Sequence, residues 1–195
     1  MRKLIILAGW LLLPLWLAAC SPSEPKLDLK GTDVAGASIG GDFTLTDHQG
    51  QRRSLSQYQG KVVALFFGYT HCPDVCPTTM LEYAAAVKQL GDKAGEVQVL
   101  FVSIDPERDT PQVLAGYVPH FNRSFVGLTG TAGEVEQIKN QYKIVAQRVS
   151  QPGGGYSVDH SAGSYLLDKK GRLRVFEAYG TPSASLAHDI GQLLR

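Results

Sequence analysis

Apolar and polar positions alternate along the chain with two different periods. Val62-Val63-Ala64-Leu65-Phe66-Phe67 is an unbroken apolar run and reads as a buried strand. Val97-Gln98-Val99-Leu100-Phe101-Val102 reads as another strand. Between them Met80, Leu81, Ala84, Ala85, Val87 and Leu90 recur at three- and four-residue steps, which predicts a helix. Upstream, Phe43-Thr44-Leu45-Thr46 alternates as a strand, Asp47-His48-Gln49-Gly50 supplies a turn, and Ser54-Leu55-Ser56 is the expected return strand. Downstream, Asp109 or Thr110 can cap a helix whose first turn holds Pro111 and which runs to about Phe121. Phe125 to Leu128 is a short strand, and Thr131 with Glu134 resembles a capping box for a helix ending at Tyr142. Ile144-Val145-Ala146 begins a strand that Gln151-Pro152-Gly153-Gly154-Gly155 breaks. Ser164 to Leu167 and Leu173 to Phe176 form a hairpin across Asp168-Lys169-Lys170-Gly171. Thr181-Pro182 opens a last helix with Leu186, Ile190, Leu193 and Leu194 on one face. Strands alternating with helices and closed by a hairpin and a helix imply an α/β sandwich with a mixed central sheet.

The two ends of this pattern differ from its middle. Arg2 and Lys3 precede an apolar stretch from Leu4 to Leu17, interrupted by Pro14 and short for a spanning helix. Leu17-Ala18-Ala19-Cys20 resembles a bacterial lipobox, so residues 1–20 read as a lipoprotein signal peptide with Cys20 as the lipidated residue. An uncleaved membrane anchor is the alternative. Either way the domain is exported, and a lipid anchor would hold it on a bacterial membrane facing the periplasm. Residues 21–41 are rich in Ser, Pro and Gly and lack periodicity, the composition of a flexible tether. Residues 42–195 are then one domain with this N-terminal extension. Removing residues 1–19 drops two of 19 basic residues and none of 18 acidic ones, which leaves a net charge of −1. With no basic stripe, nucleic acid binding has no electrostatic support.

With Cys20 assigned to the anchor, Cys72 and Cys76 are the remaining cysteine pair. They sit in Gly68-Tyr69-Thr70-His71-Cys72-Pro73-Asp74-Val75-Cys76-Pro77, between the buried strand and the first helix. A helix N-terminus offers unpaired amides and partial positive charge, which favour thiolate over thiol. Four residues apart on a helix, the two Cα atoms lie about 6 Å from one another, near the wide end of the disulfide range. Two sulfurs sharing a metal need only come within roughly 4 Å, so the spacing tilts towards metal without excluding redox exchange. A purely structural disulfide would close a tiny loop and gain little. Pro73 and Pro77 stiffen the loop.

A metal needs a third ligand. His48, His120 and His188 read as surface residues, and the side chain of His71 would have to double back. His160, in Val158-Asp159-His160-Ser161, lies between the Gly-rich loop and a strand; alone it is an ordinary loop histidine. Asp159 is a candidate to orient its imidazole. Asp105, Arg108 and Asp109 fit either a loop-fixing ion pair or a helix-capping turn, with the turn favoured.

The Cys stretch, the run Ser103-Ile104-Asp105-Pro106-Glu107-Arg108-Asp109-Thr110-Pro111 and Asp159-His160-Ser161 with Tyr165-Leu166 together resemble the Sco/SenC family of copper-binding assembly factors. The likeness runs from about Phe43 to Leu194. It implies a thioredoxin-like fold, with Cys72, Cys76 and His160 as ligands of copper, Cu(I) and Cu(II). It implies a transfer protein, rather than an enzyme in the ordinary sense, that assists maturation of the binuclear copper centre of cytochrome c oxidase. Its partners would be a copper donor protein and the copper-acceptor subunit of that oxidase. Thioredoxins place a cis-proline opposite their Cys pair, and here the corresponding loop offers His160. The lipobox departs from relatives anchored by a transmembrane helix.

The competing reading is a thiol–disulfide oxidoreductase that keeps an acceptor's cysteines reduced. A peroxidase lacks support, because Leu65-Phe66-Phe67-Gly68-Tyr69-Thr70-His71-Cys72 does not carry the expected Pro and Thr/Ser ahead of the cysteine. Zinc would want a fourth protein ligand for a structural site.

Overall fold

The computed structural model describes residues 27–195. The signal segment and Cys20 lie outside the described residues. Among the described residues no helix is long and apolar enough to cross a membrane.

Among the described residues eight strands form one sheet. In chain order they are β1 (Thr32–Asp33), β2 (Thr44–Asp47), β3 (Arg52–Ser54), β4 (Val62–Gly68), β5 (Val97–Ser103) and β6 (Val126–Thr129), then, beyond a separate hairpin, β9 (Ser164–Leu167) and β10 (Leu173–Glu177). That hairpin is β7 (Ala146–Ser150) with β8 (Tyr156–His160). The sheet order is β1-β10-β9-β4-β5-β6-β2-β3. β4–β5 and β5–β6 are parallel and the other pairs antiparallel. Among the described residues four α-helices accompany it: α1 (Val75–Gln89), α2 (Pro111–Tyr117), α3 (Ala132–Tyr142) and α4 (Ser183–Leu193). This is the expected thioredoxin-like sandwich, a mixed central sheet flanked by helices.

β4 and β5 are buried at every position, as their apolar runs require. Phe66, Phe67 and Phe101 are among the largest fully buried side chains. Each such ring contributes about 1.5–3 kcal/mol through the area it removes from water. The capping box at Thr131 and Glu134 forms with both of its bonds. Thr110 caps α2 through its side chain, with Pro111 at the helix start. α2 stops at Tyr117 and gives way to a 3-10 turn over Val118–His120. Pro119 has no N–H to continue the α ladder, so the helix expected to reach Phe121 ends early. The strand expected at Ser54-Leu55-Ser56 is displaced: β3 covers Arg52–Ser54, and Leu55 turns inward to open a 3-10 segment.

Two further expectations need correction. On α1, Leu81 is 59% exposed, whereas Tyr83 is fully buried and its hydroxyl meets Ser164 Oγ at 2.6 Å. The core face of α1 is Cys76, Met80, Tyr83, Ala86 and Val87. The tether does not extend to Gly41. Residues 27–34 are bound to the domain: β1 pairs with β10, and Asp189 on α4 accepts hydrogen bonds from the Lys30 amide (2.8 and 2.9 Å) and the Gly31 amide (2.7 Å). Gly40 donates to the Gln141 carbonyl at 3.0 Å. Backbone amides make these attachments, so no apolar periodicity announces them.

Beside that strap lies a second buried acid. Glu177, at the end of β10, is 1% exposed and lies against the Asp189 carboxylate, with Thr181 beside it. A Cβ on Gly31 would stand 2.8 Å from Glu177 Oε2, so only glycine lets the strap pass.

Candidate metal centre

The centre is built where β4 ends and α1 begins. Gly68 closes β4, residues 69–74 form the loop, and Cys76 falls in the first turn of α1. The loop is held from beneath. Asp109 is fully buried and accepts from the Thr70 amide at 3.0 Å, the Thr70 hydroxyl at 2.6 Å and the Ser103 hydroxyl at 2.7 Å. A Cβ on Gly68 would lie 2.8 Å from Cys76 Sγ, so the glycine is what lets the sulfur sit against the sheet.

Cys72 and Cys76 are both free thiols, Cys76 buried and Cys72 half-buried. The Cys76 amide donates to Cys72 Sγ at 3.3 Å. A hydrogen bond from the Cys76 thiol, backed by the Cys76 and Asp74 amides and the nearby His160, lowers the Cys72 pKa to about 5 against the cost of burial. The Cys76 thiol moves up, because it donates to Cys72 and because it is buried. The pair therefore holds one proton between two sulfurs, with the charge on the outer one.

His160 arrives on the hairpin, as the last residue of β8 and not on a loop. Its Nδ1 lies 2.8 Å from the Ser161 carbonyl. A carbonyl oxygen only accepts, so Nδ1 carries the proton and the Nε2 lone pair is free. Nε2 points at Cys76 Sγ, 3.6 Å away. Tyr69 packs edge-on to the imidazole with ring centroids 5.9 Å apart, and its hydroxyl accepts from the Val158 amide at 3.2 Å. The two sulfurs and the imidazole nitrogen lie within 4.8 Å of one another. Ligands around one trigonal ion stand roughly 4 Å apart, so small side-chain rotations would let all three share it. The Cys72 side opens to a depression bordered by Pro73, Val75 and Asp159.

The other candidates are placed as follows. Asp159 is exposed, and the orienting bond to His160 comes from the Ser161 carbonyl instead. His71 is exposed beside Thr70. His48 accepts from the Gly127 amide at 3.0 Å, His120 is exposed, and His188 meets Asp28. The favoured capping role of the Asp105–Asp109 run gives way to the ion pair. Asp105 pairs with the Arg108 guanidinium and accepts from the Tyr156 hydroxyl at 2.7 Å. Arg108 also donates to the Tyr156 carbonyl at 2.8 Å and lies 3.7 Å over its ring. Asp109 is the loop clamp, and Thr110 alone caps. One segment, 103–109, thus grips both halves of the centre, the Cys loop through Asp109 and the His strand through Asp105 and Arg108. Tyr69, Thr70 and Tyr156 carry no motif of their own; the alternation in Tyr156-Ser157-Val158 is the one signal that could have marked β8.

A family model described as SCO1/SenC matches residues 32–195. The mitochondrial protein SCO2 homolog of Bos taurus is 38% identical over 161 residues, which is 80% of this chain. This chain spans only 60% of that protein's length. The SCO2-like protein of Rickettsia felis is 33% identical over 176 residues, 87% of this chain and 86% of that protein. The solved structure of Bradyrhizobium japonicum ScoI with copper bound superposes with a TM-score of 0.75 at 37% identity, covering 80% of this chain and 99% of that one. A match over residues 32–195, with relatives of this similarity, shows that the chain belongs to the SCO1/SenC family.

Proposed function

We propose that Cys72, Cys76 and His160 bind copper, and that the chain is a membrane-tethered metallochaperone assisting the binuclear copper centre of cytochrome c oxidase. The observation that carries this reading is the approach of three ligand atoms to within 4.8 Å of one another. The copper-bound relative from Bradyrhizobium japonicum supports the choice of metal. Two thiolates suit Cu(I), and the imidazole adds tolerance for Cu(II). With a neutral imidazole the centre carries −1 around Cu(I) and is neutral around Cu(II), so neither state leaves a large unpaired charge. The depression beside Cys72 gives an acceptor's ligands a way in before the donor's leave. The acceptor is the copper-binding subunit of the oxidase, and a donor protein supplies the metal. Lipidation at Cys20 anchors the domain on a bacterial membrane, facing the periplasm.

A second reading has its own observation. The low pKa of Cys72, with its hydrogen bonds from Cys76, suits thiol–disulfide exchange with an acceptor's cysteines. The two readings separate at His160, which exchange does not need. His160→Ala removes a half-buried strand-end side chain and leaves the core intact. It should weaken Cu(II) far more than Cu(I), abolish the thiolate–Cu(II) charge-transfer band, and leave thiol exchange near normal. Cu(II) titration by absorption, Cu(I) competition with a chelator and a thiol-exchange assay measure this together. Unchanged Cu(II) affinity with collapsed exchange would assign His160 to redox chemistry and overturn the copper-ligand reading.

A further inference from the structure

The end of the sheet opposite the metal centre is strongly basic. Lys169, Lys170, Arg172, Arg174 and Arg195 line one groove with Leu27. Four of them fall in the β9–β10 turn and the first residues of β10, which in sequence read only as a hairpin. Two acids accompany them. Asp168 is buried in the turn, where it organises the backbone through the Lys170 and Arg172 amides and pairs with Arg172 and Arg174. Glu96 pairs with Lys169 at 2.7 Å. From Cys20 onward the sequence holds 17 basic and 18 acidic residues, yet among the described residues this groove gathers five basic side chains beside Asp168 and Glu96, with Lys170 and Arg195 exposed at its rim. The excess is a local field, not a reflection of composition.

The groove is also where the described chain begins. Leu27 lines it, and the Asp28 carbonyl is held by His188 of α4 at 2.8 Å. Only residues 21–26 separate Leu27 from Cys20. Seven residue steps reach about 25 Å at full extension and, as a coil, about 15 Å. The leash is therefore a third of the expected tether, because residues 27–34 are spent on the strap.

The opposite end is set by the sheet. The Gly60 amide donates to the Lys169 carbonyl at 2.8 Å, so the basic turn sits at the start of β4. The seven residues of β4 then run away from it to Gly68 and the Cys loop, a distance of about 20 Å.

We propose that the basic groove docks on anionic phospholipid headgroups of the membrane to which the chain is attached, and that this holds the metal centre facing away from the bilayer. The proposal rests on the membrane-attachment reading above. Lipid headgroups are the occupant because a short leash keeps the groove at the bilayer surface, and because its charge is opposite to theirs.

The test uses the full chain reconstituted into two kinds of vesicle, phosphatidylcholine alone and phosphatidylcholine with phosphatidylglycerol. Lysine acylation read by mass spectrometry reports each side chain, with exposed Lys143 as the internal reference. Lys170 should react roughly threefold or more slowly, relative to Lys143, in the anionic vesicles alone, and high salt should reverse the protection. Lys169, already held by Glu96 and the Leu194 carbonyl, should also react more slowly in the anionic vesicles than in the neutral ones, and in a Lys170→Glu, Arg195→Glu variant that difference between the two vesicles should vanish. Both changed residues are exposed, and circular dichroism confirms the fold. Equal reactivity in the two vesicles, or protection that survives charge reversal, overturns the proposal, as it would if a protein partner filled the groove. The footprint reads the groove however the chain is attached, whereas fractionation of Cys20→Ser reads the anchor, so the two failures are distinguishable.

Discussion

Replacing Glu177 by glutamine should remove the stability loss that this one carboxyl imposes between weakly acidic and weakly basic pH. The Glu177 carboxyl is pushed up to about 7, first by burial and then by the negative charge of Asp189. An unperturbed glutamate titrates near 4.5. A carboxyl whose folded pKa is raised holds its proton more tightly when folded. Its contribution is complete below about 4.5, declines as pH rises, and is lost above about 7. At about 1.4 kcal/mol per pH unit, that gap is worth at most about 3 kcal/mol. Glutamine has the same shape and no charge, and its amide can donate to Asp189. Urea unfolding near pH 5 and near pH 8 measures the effect. With a typical urea slope of about 1–3 kcal/mol per molar, the variant should gain up to about 1–2 M in midpoint near pH 8 and little near pH 5. Cys72 has the opposite slope: its depressed pKa of about 5 contributes stability that is lost as pH falls towards that value. That contribution is common to both proteins and cancels in the difference. A stability difference between the two proteins that stays constant from about pH 5 to about pH 8 would refute the reasoning.

Three other outcomes are expected. Cys20→Ser should release or misprocess the protein, read by cell fractionation; unchanged size with unchanged membrane attachment would point to an uncleaved anchor. Oxidation should join Cys72 to Cys76 and abolish copper uptake, since the disulfide consumes both soft ligands; stoichiometric copper on fully oxidised protein, by parallel thiol and copper titration, would rule that out. Gly68→Ala should cost about 1–3 kcal/mol and weaken copper binding, because its Cβ would stand 2.8 Å from Cys76 Sγ and 3.0 Å from the rings of Phe66 and Phe101. Copper affinity equal to that of the parent would show that the sulfur's seat is not set by that contact.

Elements with a strong period were legible from sequence. β4, β5, the β9–β10 hairpin and the face of α4 all appear where alternation or apolar runs place them. The face of α1 was legible in part: Met80 and Val87 are buried and Ala84 and Leu90 pack on the core, but Leu81 and Ala85 are exposed, because alanines carry little directional signal and Tyr83 buries its hydroxyl only by bonding Ser164 across the fold. β8 was missed because Ser157, Asp159 and His160 dilute its alternation; what orders it is Arg108 and Asp105 against Tyr156, a contact between distant segments. Asp109 looked like a cap because a short acid before Thr-Pro fits that role equally well. Its burial under Thr70 follows from β4 and β5 lying side by side. The cysteine pair was visible as a local motif. Which nitrogen of His160 faces it was not, since that depends on the Ser161 carbonyl.

β9 lies between β4 and β10, antiparallel to both. That insertion brings His160 to Cys76 across 84 residues of chain. A growing polypeptide therefore owns both sulfurs long before it owns the imidazole's position. Until β9 has slotted in, it can offer a metal only a loose dithiol. Full ligation is thus a late event in folding, slow because the intervening loop must close first. A metal that demands the nitrogen would be refused by incomplete or damaged copies and accepted by finished ones. If copper binds as proposed, the strand order would act as an inspection step before loading.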